Sequence, residues 1–242
     1  MEYAILFLPL IGALLGYVIK VFGDIYSEVV TTLFVSAAAI LSIILFYNGI
    51  IYEDYGNYKI YQWIASGKFV VNASINIDPL SSIMLVVVSL VSALVHIYSI
   101  GYMHHDPDKP RFMCYLSLFT FAMFTLVVSD NFLQLFFGWE GVGLCSYLLI
   151  GFWHKKNSAN NAAIKAFIVN RIGDFGFAIG IFLIFIFFGT LNYEEVFSLV
   201  PNFTNTEINF LGLDVNLITF SELSLLLIFF PYARFHMLSP LK

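Results

Sequence analysis

The sequence predicts an all-α polytopic membrane protein, a bundle of about six or seven spanning helices. Of its 242 residues, 60% are hydrophobic and 11% are charged, whereas a soluble domain has roughly 45–50% apolar and about 25% charged residues. The mean hydropathy, averaged over the whole chain, is +0.87. A single membrane anchor attached to a soluble domain would not give so high an average, because the domain would lower it. Most of the chain is therefore expected to lie in lipid, which excludes a soluble enzyme with a single core.

Seven stretches have the length and apolar character of a spanning helix, which needs about 20 mostly apolar residues. They cover residues 3–19, 29–47, 80–101, 112–130, 132–152, 164–189 and 216–231. The first stretch follows Glu2 and precedes Lys20, whereas a signal peptide begins with basic residues. It is therefore expected to be a retained helix.

The basic residues predict the orientation of the bundle, because cytoplasmic loops carry an excess of lysine and arginine. With the N-terminus outside, two lysines fall in outer segments, Lys59 and Lys68. The cytoplasmic segments then contain Lys20, Lys109, Arg111, Lys155, Lys156, Lys165, Arg234 and Lys242. Arg171 remains inside the sixth stretch as an exception.

Two loops on the predicted outer side are long enough to hold structure. Residues 58–77 alternate in polarity around Ser66-Gly67, which is typical of a β-hairpin. Asp78 followed by Pro79 predicts the start of the third helix, because proline favours the first helical position.

The second outer loop contains Asn192 and, three residues later, Glu195. This is the spacing of a capping box. It predicts a short helix near residues 193–200.

No motif for a cofactor or metal is visible in the sequence. Cys114 and Cys145 lie in apolar runs without a partner at zinc spacing, so they indicate neither a disulfide framework nor a metal site. A dinucleotide fingerprint, a P-loop and an iron–sulfur cysteine run are also missing. The prediction is that this chain binds no cofactor.

Glu140 is the most informative ionisable residue, because a charge at the bilayer centre costs about 2.5–3.5 kcal/mol and marks a functional site by default. It lies roughly 18 Å from the cytoplasmic end of its helix, at about 1.5 Å per residue. Gly138, Gly141 and Gly143 surround it and leave room for a neighbouring helix or for water. The alternative is a carboxylate that only holds helices together.

The next helix contains Asn170, Arg171 and Asp174, with Asp174 at a depth similar to that of Glu140. Arg171 and Asp174 are three residues apart and can pair along one helix. That pairing would keep Asp174 ionised, whereas Glu140 without a near cation would bind its proton more tightly. Two sites of different proton affinity suit a proton relay, and a purely structural ion pair is the alternative.

The third helix has a polar stripe of Ser89, Ser92, His96 and Ser99 at spacings of three and four. His96 could pass protons along a hydrated path, since histidine titrates near neutral pH. The alternative is a histidine that is merely hydrogen-bonded at a helix interface.

The chain resembles a known family in two runs, FGWEGVGLCSYLLIGFW over residues 137–153 and KAFIVNRIGD over residues 165–174. These runs are similar to subunit L, also called chain 5, of the proton-pumping NADH-quinone oxidoreductase. Shorter similarities lie at residues 77–81, 101–103 and 189–192, so the resemblance covers about residues 1–230.

The resemblance implies an antiporter-like subunit in the membrane arm of respiratory complex I, in a bacterial or mitochondrial inner membrane. Glu140 would be its mid-membrane acid, with Asp174 and Arg171 in the proton-entry and coupling region and Lys165 and His96 as secondary residues. NADH, FMN, iron–sulfur clusters and quinone would belong to partner subunits. The lipid bilayer, protons and other membrane-arm subunits are the expected partners.

The resemblance also implies a division of the chain at residue 101. Residues 1–101 would form N-terminal helices with an outer hairpin loop at about 52–77. Residues 102–242 would begin the proton-translocating domain and leave it incomplete, because residues 230–242 do not continue the family's pattern. A C-terminally truncated fragment is expected, and the alternatives are a cation/proton antiporter subunit or a helical stub that moves nothing.

Overall fold

The computed structural model of the chain describes residues 1–53, 55–67, 69–203, 207–210 and 213–216. Within these residues, six helices are long and apolar enough to cross a membrane. They correspond to the first six predicted stretches and confirm the all-α polytopic class. The predicted seventh helix lies, apart from Asn216, outside the described residues, as do Arg234 and Lys242.

Eleven regular elements follow each other along the described part of the chain. They are α1 (Glu2–Ile19), α2 (Asp24–Tyr52), β1 (Gly56–Ser66), β2 (Phe69–Ile77), α3 (Pro79–Tyr102), α4 (Lys109–Val127), α5 (Phe132–Ile150), α6 (Asn157–Phe188), α7 (Tyr193–Leu199), β3 (Glu207–Phe210) and β4 (Leu213–Asn216). Short 3₁₀ turns follow α1 and α7. The antiparallel pair β3–β4 was not predicted.

The described spanning helices alternate in direction, and consecutive helices pack side by side. In addition, α4 contacts both α1 and α2. The predicted hairpin is confirmed as β1–β2, in which Gly56 lies opposite Ile77 and Ser66 lies opposite Phe69. Gly67 turns the chain with a φ of 58°, a conformation that glycine adopts at little cost. The end of the bundle that carries this hairpin is called the hairpin end below.

Apolar side chains attach the hairpin to the ends of five helices. Ile75 and Ile77 are buried in one cluster with Ile5, Leu85 and Phe124, which come from α1, α3 and α4. Towards α5 and α6, edge-to-face ring contacts join Trp63 to Phe137 at 5.4 Å and Phe69 to Phe185 at 4.8 Å. Burial of these side chains fixes the hairpin against the helices.

The helix starts show which cap predictions were right. The Asp78 carboxylate accepts a hydrogen bond from the Ser81 backbone N–H at 2.6 Å, with Pro79 at the first position, as predicted. Asn192 caps α7 by accepting from the backbone N–H of Glu194 and Glu195. The Glu195 carboxylate accepts from the Thr190 hydroxyl, so the reciprocal half of the predicted box is absent here.

The largest difference in bounds is at α6, which begins at Asn157 and not near residue 164. Its first turns are polar, so hydropathy alone does not include them. Lys165, which the prediction placed at the start of this helix, consequently lies two turns inside it and is exposed.

Candidate functional site

The candidate site lies where the middle of α5 meets the middle of α6. These neighbouring helices run antiparallel and contact each other, so Glu140 and Asp174 come to a similar depth, as predicted. Both residues lie well inside candidate membrane spans.

Glycines bring α5 close to α4 beside this site. A Cβ atom on Gly138 would lie 2.7 Å from the backbone nitrogen of Leu126, and one on Gly141 would lie 3.0 Å from the Cβ of Ala122. These two glycines therefore serve close helix packing. At Gly143 a Cβ would meet no described atom within 4 Å.

Arg171 bridges the two carboxylates. Its Nη1 lies 2.5 Å from Oε1 of Glu140 and 3.9 Å from Oδ2 of Asp174. The prediction that Glu140 has no near cation was therefore wrong. Spacing along the sequence reveals partners on the same helix, whereas this partner comes from the neighbouring helix.

The three charged side chains differ in exposure. Asp174 is 8% exposed, Glu140 25% and Arg171 51%. The Arg171 guanidinium also lies 4.9 Å from the centre of the Phe167 ring, a favourable cation–π contact. The aromatic ring and Glu140 thus hold the cation at the edge of the site.

Asp174 has a hydrogen-bond donor that the sequence analysis missed. Trp139 Nε1 donates to Oδ1 of Asp174 at 2.9 Å. Because Trp139 precedes Glu140 on α5, two consecutive residues of this helix connect to α6. The sequence feature that could have indicated this donor is the Trp139-Glu140 pair within a predicted span.

One cation lies between two carboxylates, and both attract the same guanidinium. Opposite charges at these distances attract strongly where little water is present. The arrangement therefore joins α5 to α6 through Arg171 and places two carboxylates within 4 Å of one cation.

His96 lies in a separate cluster between α3 and α4. It is fully buried, with Nδ1 2.8 Å from the Ser92 carbonyl oxygen and Nε2 3.0 Å from Oγ of Ser117. A carbonyl oxygen only accepts, so Nδ1 donates to it. Ser92 Oγ also lies 2.5 Å from Oγ1 of Thr120. The contacts with Ser117 and Thr120 join α3 to α4.

Lys165 is also separate from the carboxylate pair. It precedes Arg171 by six residues on α6, about 9 Å along the axis at about 1.5 Å per residue. No ion pair of Lys165 occurs among the described residues.

A largely buried ion pair elsewhere in the bundle was also missed by the sequence analysis. Lys109 Nζ lies 3.1 Å from Oε1 of Glu28, and both side chains are largely buried. The pair joins α2 to α4 at the end of the bundle opposite the hairpin. Their separation of many residues in the sequence hid this pairing.

Polar side chains between α4 and α5 hold the start of α5. Asp130 is 4% exposed and accepts hydrogen bonds from Asn57 at 3.1 Å and Asn131 at 2.5 Å. Gln134 pairs with the backbone of Ser74 on β2, accepting at 3.0 Å and donating at 2.7 Å. The hairpin is thereby connected directly to the helix that carries Glu140.

Tyr193 of α7 lies beside this region, where its hydroxyl forms a hydrogen bond with Ser129. Burial raises the pKa of Tyr193 to about 12, against a partial opposing effect of the hydrogen bond with Ser129. The phenol therefore stays protonated at physiological pH.

Two family models match most of the chain. Residues 63–113 match the family described as NADH-Ubiquinone oxidoreductase (complex I), chain 5 N-terminus. Residues 129–238 match the family described as NADH:quinone oxidoreductase/Mrp antiporter, TM.

Curated relatives have corresponding names. The chain is 47% identical over 226 residues to NADH-quinone oxidoreductase subunit L of Rickettsia bellii, a match that covers 93% of this chain and 35% of the relative. It is 47% identical to NADH-ubiquinone oxidoreductase chain 5 of Chondrus crispus, a match that covers 93% of this chain and 34% of the relative. The chain thus spans about a third of the length of the relatives it matches.

A solved structure shows the same fold. This structure is the membrane-bound sulfane sulfur reductase, an archaeal respiratory membrane complex. The match has a TM-score of 0.75 and 20% sequence identity, and it covers 96% of this chain and 44% of the matched chain. Together with the six apolar helices, the relatives place the chain in an inner membrane. The chain belongs to the family of subunit L, or chain 5, of NADH-quinone oxidoreductase.

Proposed function

We propose that this chain acts in a proton-translocating membrane subunit of NADH-quinone oxidoreductase. The subunit couples electron transfer from NADH to quinone, which takes place in other subunits, to proton movement across the membrane. The observation that carries the proposal is the Arg171 guanidinium between the carboxylates of Glu140 and Asp174 in mid-span. The names of the curated relatives support the same activity.

The geometry suggests how a proton would be handled. In the structure, Arg171 is closer to Glu140 than to Asp174. A proton that binds Glu140 removes the charge that holds the guanidinium, so Arg171 shifts towards Asp174. When the proton leaves, Arg171 returns, and the Trp139–Asp174 hydrogen bond keeps the second carboxylate in place throughout.

The energy for transport comes from outside this chain in the proposed assembly. One elementary charge moved against 100 mV requires about 2.3 kcal/mol. NADH, FMN, iron–sulfur clusters and quinone belong to partner subunits, and other membrane-arm subunits contact this one. In this proposal, residues 1–101 form the N-terminal helices with their hairpin, and the proton-handling helices follow residue 101.

Glu140→Gln in the assembled complex tests the proposal, because the amide keeps the shape of the side chain and removes its proton site. Protons pumped per NADH oxidised should fall at least about tenfold, while the complex still assembles. Glu194→Gln is the matched control, since Glu194 lies on α7 outside the spanning helices. An unchanged ratio in Glu140→Gln would contradict the assignment.

A subunit of a multi-component cation/proton antiporter is the second candidate. The family matched by residues 129–238 includes both the oxidoreductase and the Mrp antiporter. Proton flux driven by a sodium gradient, in membranes without NADH, would favour the antiporter.

A further inference from the structure

A cleft of about 430 Å³ opens at the end of the bundle opposite the hairpin, between α4, α5 and α6. Its polar lining comes from Arg111, Tyr115, Tyr147, His154 and Asn160. None of the described lining residues is acidic. The cleft is separate from the Glu140 site and has no part in the proposed proton steps.

Arg111 is held in the wall of this cleft with an unused donor. Its Nη2 donates to Oδ2 of Asp108 and to the Phe152 carbonyl oxygen, each at 3.2 Å, and the guanidinium lies 4.9 Å from the Phe152 ring centre. Its Nε is buried and has no hydrogen-bond partner. Nη1 makes no hydrogen bond among the described residues, so the guanidinium keeps a donor for an acceptor in the cleft.

The surrounding charges favour an anion in the cleft. The cleft borders the first turns of α6, a helix with no side-chain N-cap and no acidic residue in its first turn, so the helix dipole adds positive potential. Asp108 is the acid next to Arg111, and its side chain is 46% exposed, so solvent screens its charge.

The position of the cleft matches the headgroup layer of a bilayer. The 32 residues of α6 span about 48 Å at about 1.5 Å per residue, whereas the hydrocarbon core is about 30 Å thick. The first turns of α6 therefore reach the headgroups. Ile164 lines the cleft and is 49% exposed, which provides an apolar surface for an acyl chain beside the polar groups.

We propose that this cleft binds an anionic phospholipid, with its phosphate accepting a hydrogen bond from the Arg111 guanidinium and an acyl chain along Ile164. Arginine suits this role because its planar guanidinium matches phosphate geometry. Basic pockets between membrane helices are a general means of recognising lipid headgroups. The bound lipid would link the ends of α4, α5 and α6.

Native mass spectrometry of the purified full chain, titrated with phosphatidylglycerol or phosphatidylcholine in detergent, tests the proposal. The wild-type chain should retain one phosphatidylglycerol at least about fivefold more tightly than phosphatidylcholine. Arg111→Gln should weaken phosphatidylglycerol binding about tenfold, a loss of about 1.4 kcal/mol. The matched control is Lys155→Gln, which removes the same charge at the same end but outside the lining, and it should bind nearly as the wild type.

A second variant separates lipid binding from folding, because Arg111 also bonds to Phe152. Ile164→Trp adds bulk from an exposed wall position and should weaken phosphatidylglycerol binding while every hydrogen bond of Arg111 remains. Equal loss in Arg111→Gln and Lys155→Gln would show a diffuse basic surface and overturn the proposal. Unchanged binding in both Arg111→Gln and Ile164→Trp, or displacement of the lipid by millimolar inorganic phosphate, would also overturn it.

Discussion

At the residue scale, the site depends on side chains that reach from one helix to the next. Trp139 and Glu140 are adjacent on α5, and they contact Asp174 and Arg171 on α6. Asp174 is therefore ordered by a neutral donor at 2.9 Å, while the cation stays nearer to Glu140. The two carboxylates therefore differ in their main partner, an arginine for Glu140 and an indole N–H for Asp174.

Trp139→Phe should lower protons pumped per NADH several-fold, because it removes the donor to Asp174 and keeps an aromatic ring. The lost hydrogen bond to a charged group corresponds to about 1.5–3 kcal/mol. Trp153→Phe is the matched control, since Trp153 Nε1 donates to Asp106 at the same 2.9 Å in an exposed position. Equal effects of the two changes would refute a specific role for Trp139.

We expect the folded chain to lose stability in strong base because of the Tyr193 phenol. Its pKa is about 12 in the folded chain, against an ordinary value of 10.0, because burial disfavours the phenolate. The raised folded-state pKa means that its contribution is complete below pH 10 and is lost as the pH rises from 10 to 12. Thermal unfolding in detergent should show a smaller decrease over this range for Tyr193→Phe than for the wild type, and identical decreases would contradict the assignment.

At the element scale, the hairpin and the glycines of α5 position the site. Gln134 connects the start of α5 to β2, and Gly138 and Gly141 let the same helix approach α4. The hairpin and the six helices were predictable, because polarity alternates in one and apolar runs mark the others. The long polar start of α6 and the β3–β4 pair were not, since neither has a strong local pattern.

Gly138→Ala should destabilise the chain by about 1–3 kcal/mol, the usual cost of overpacking. The new Cβ would meet the Leu126 backbone at 2.7 Å, which cannot move as a side-chain end can. Gly143→Ala is the control, because its Cβ would meet nothing within 4 Å in the described part of the chain. Unfolding temperatures in detergent distinguish the two, and an equal stability of both variants would argue against close packing of α4 and α5.

At the scale of the whole molecule, the six spanning helices that the structure describes carry polar networks at both ends. The hairpin end has the Asp130 and Gln134 hydrogen bonds, and the opposite end has the Glu28–Lys109 ion pair and the Arg111 cleft. Polar contacts thus link neighbouring elements at each end of the bundle.

Single cysteines test which end is outside, in a background where Cys114 and Cys145 are replaced. The excess of basic residues predicts that Ser66→Cys, at the exposed hairpin tip, reacts with an impermeant reagent on intact cells. Lys155→Cys, at the opposite end, should react only after permeabilisation. The reverse pattern would invert the topology.

The sequence by itself determined the membrane class, the number and order of the described spans, the hairpin, and Glu140, Arg171 and Asp174 as candidates. These follow from local composition and from charges that are costly in lipid. The tertiary structure alone decided the pairings: Arg171 with Glu140, Trp139 with Asp174, and His96 within an α3–α4 interface. The physical reason is that hydropathy and helical spacing describe one segment at a time. Which carboxylate lies nearest to a cation depends instead on the distance and relative rotation of the two helices.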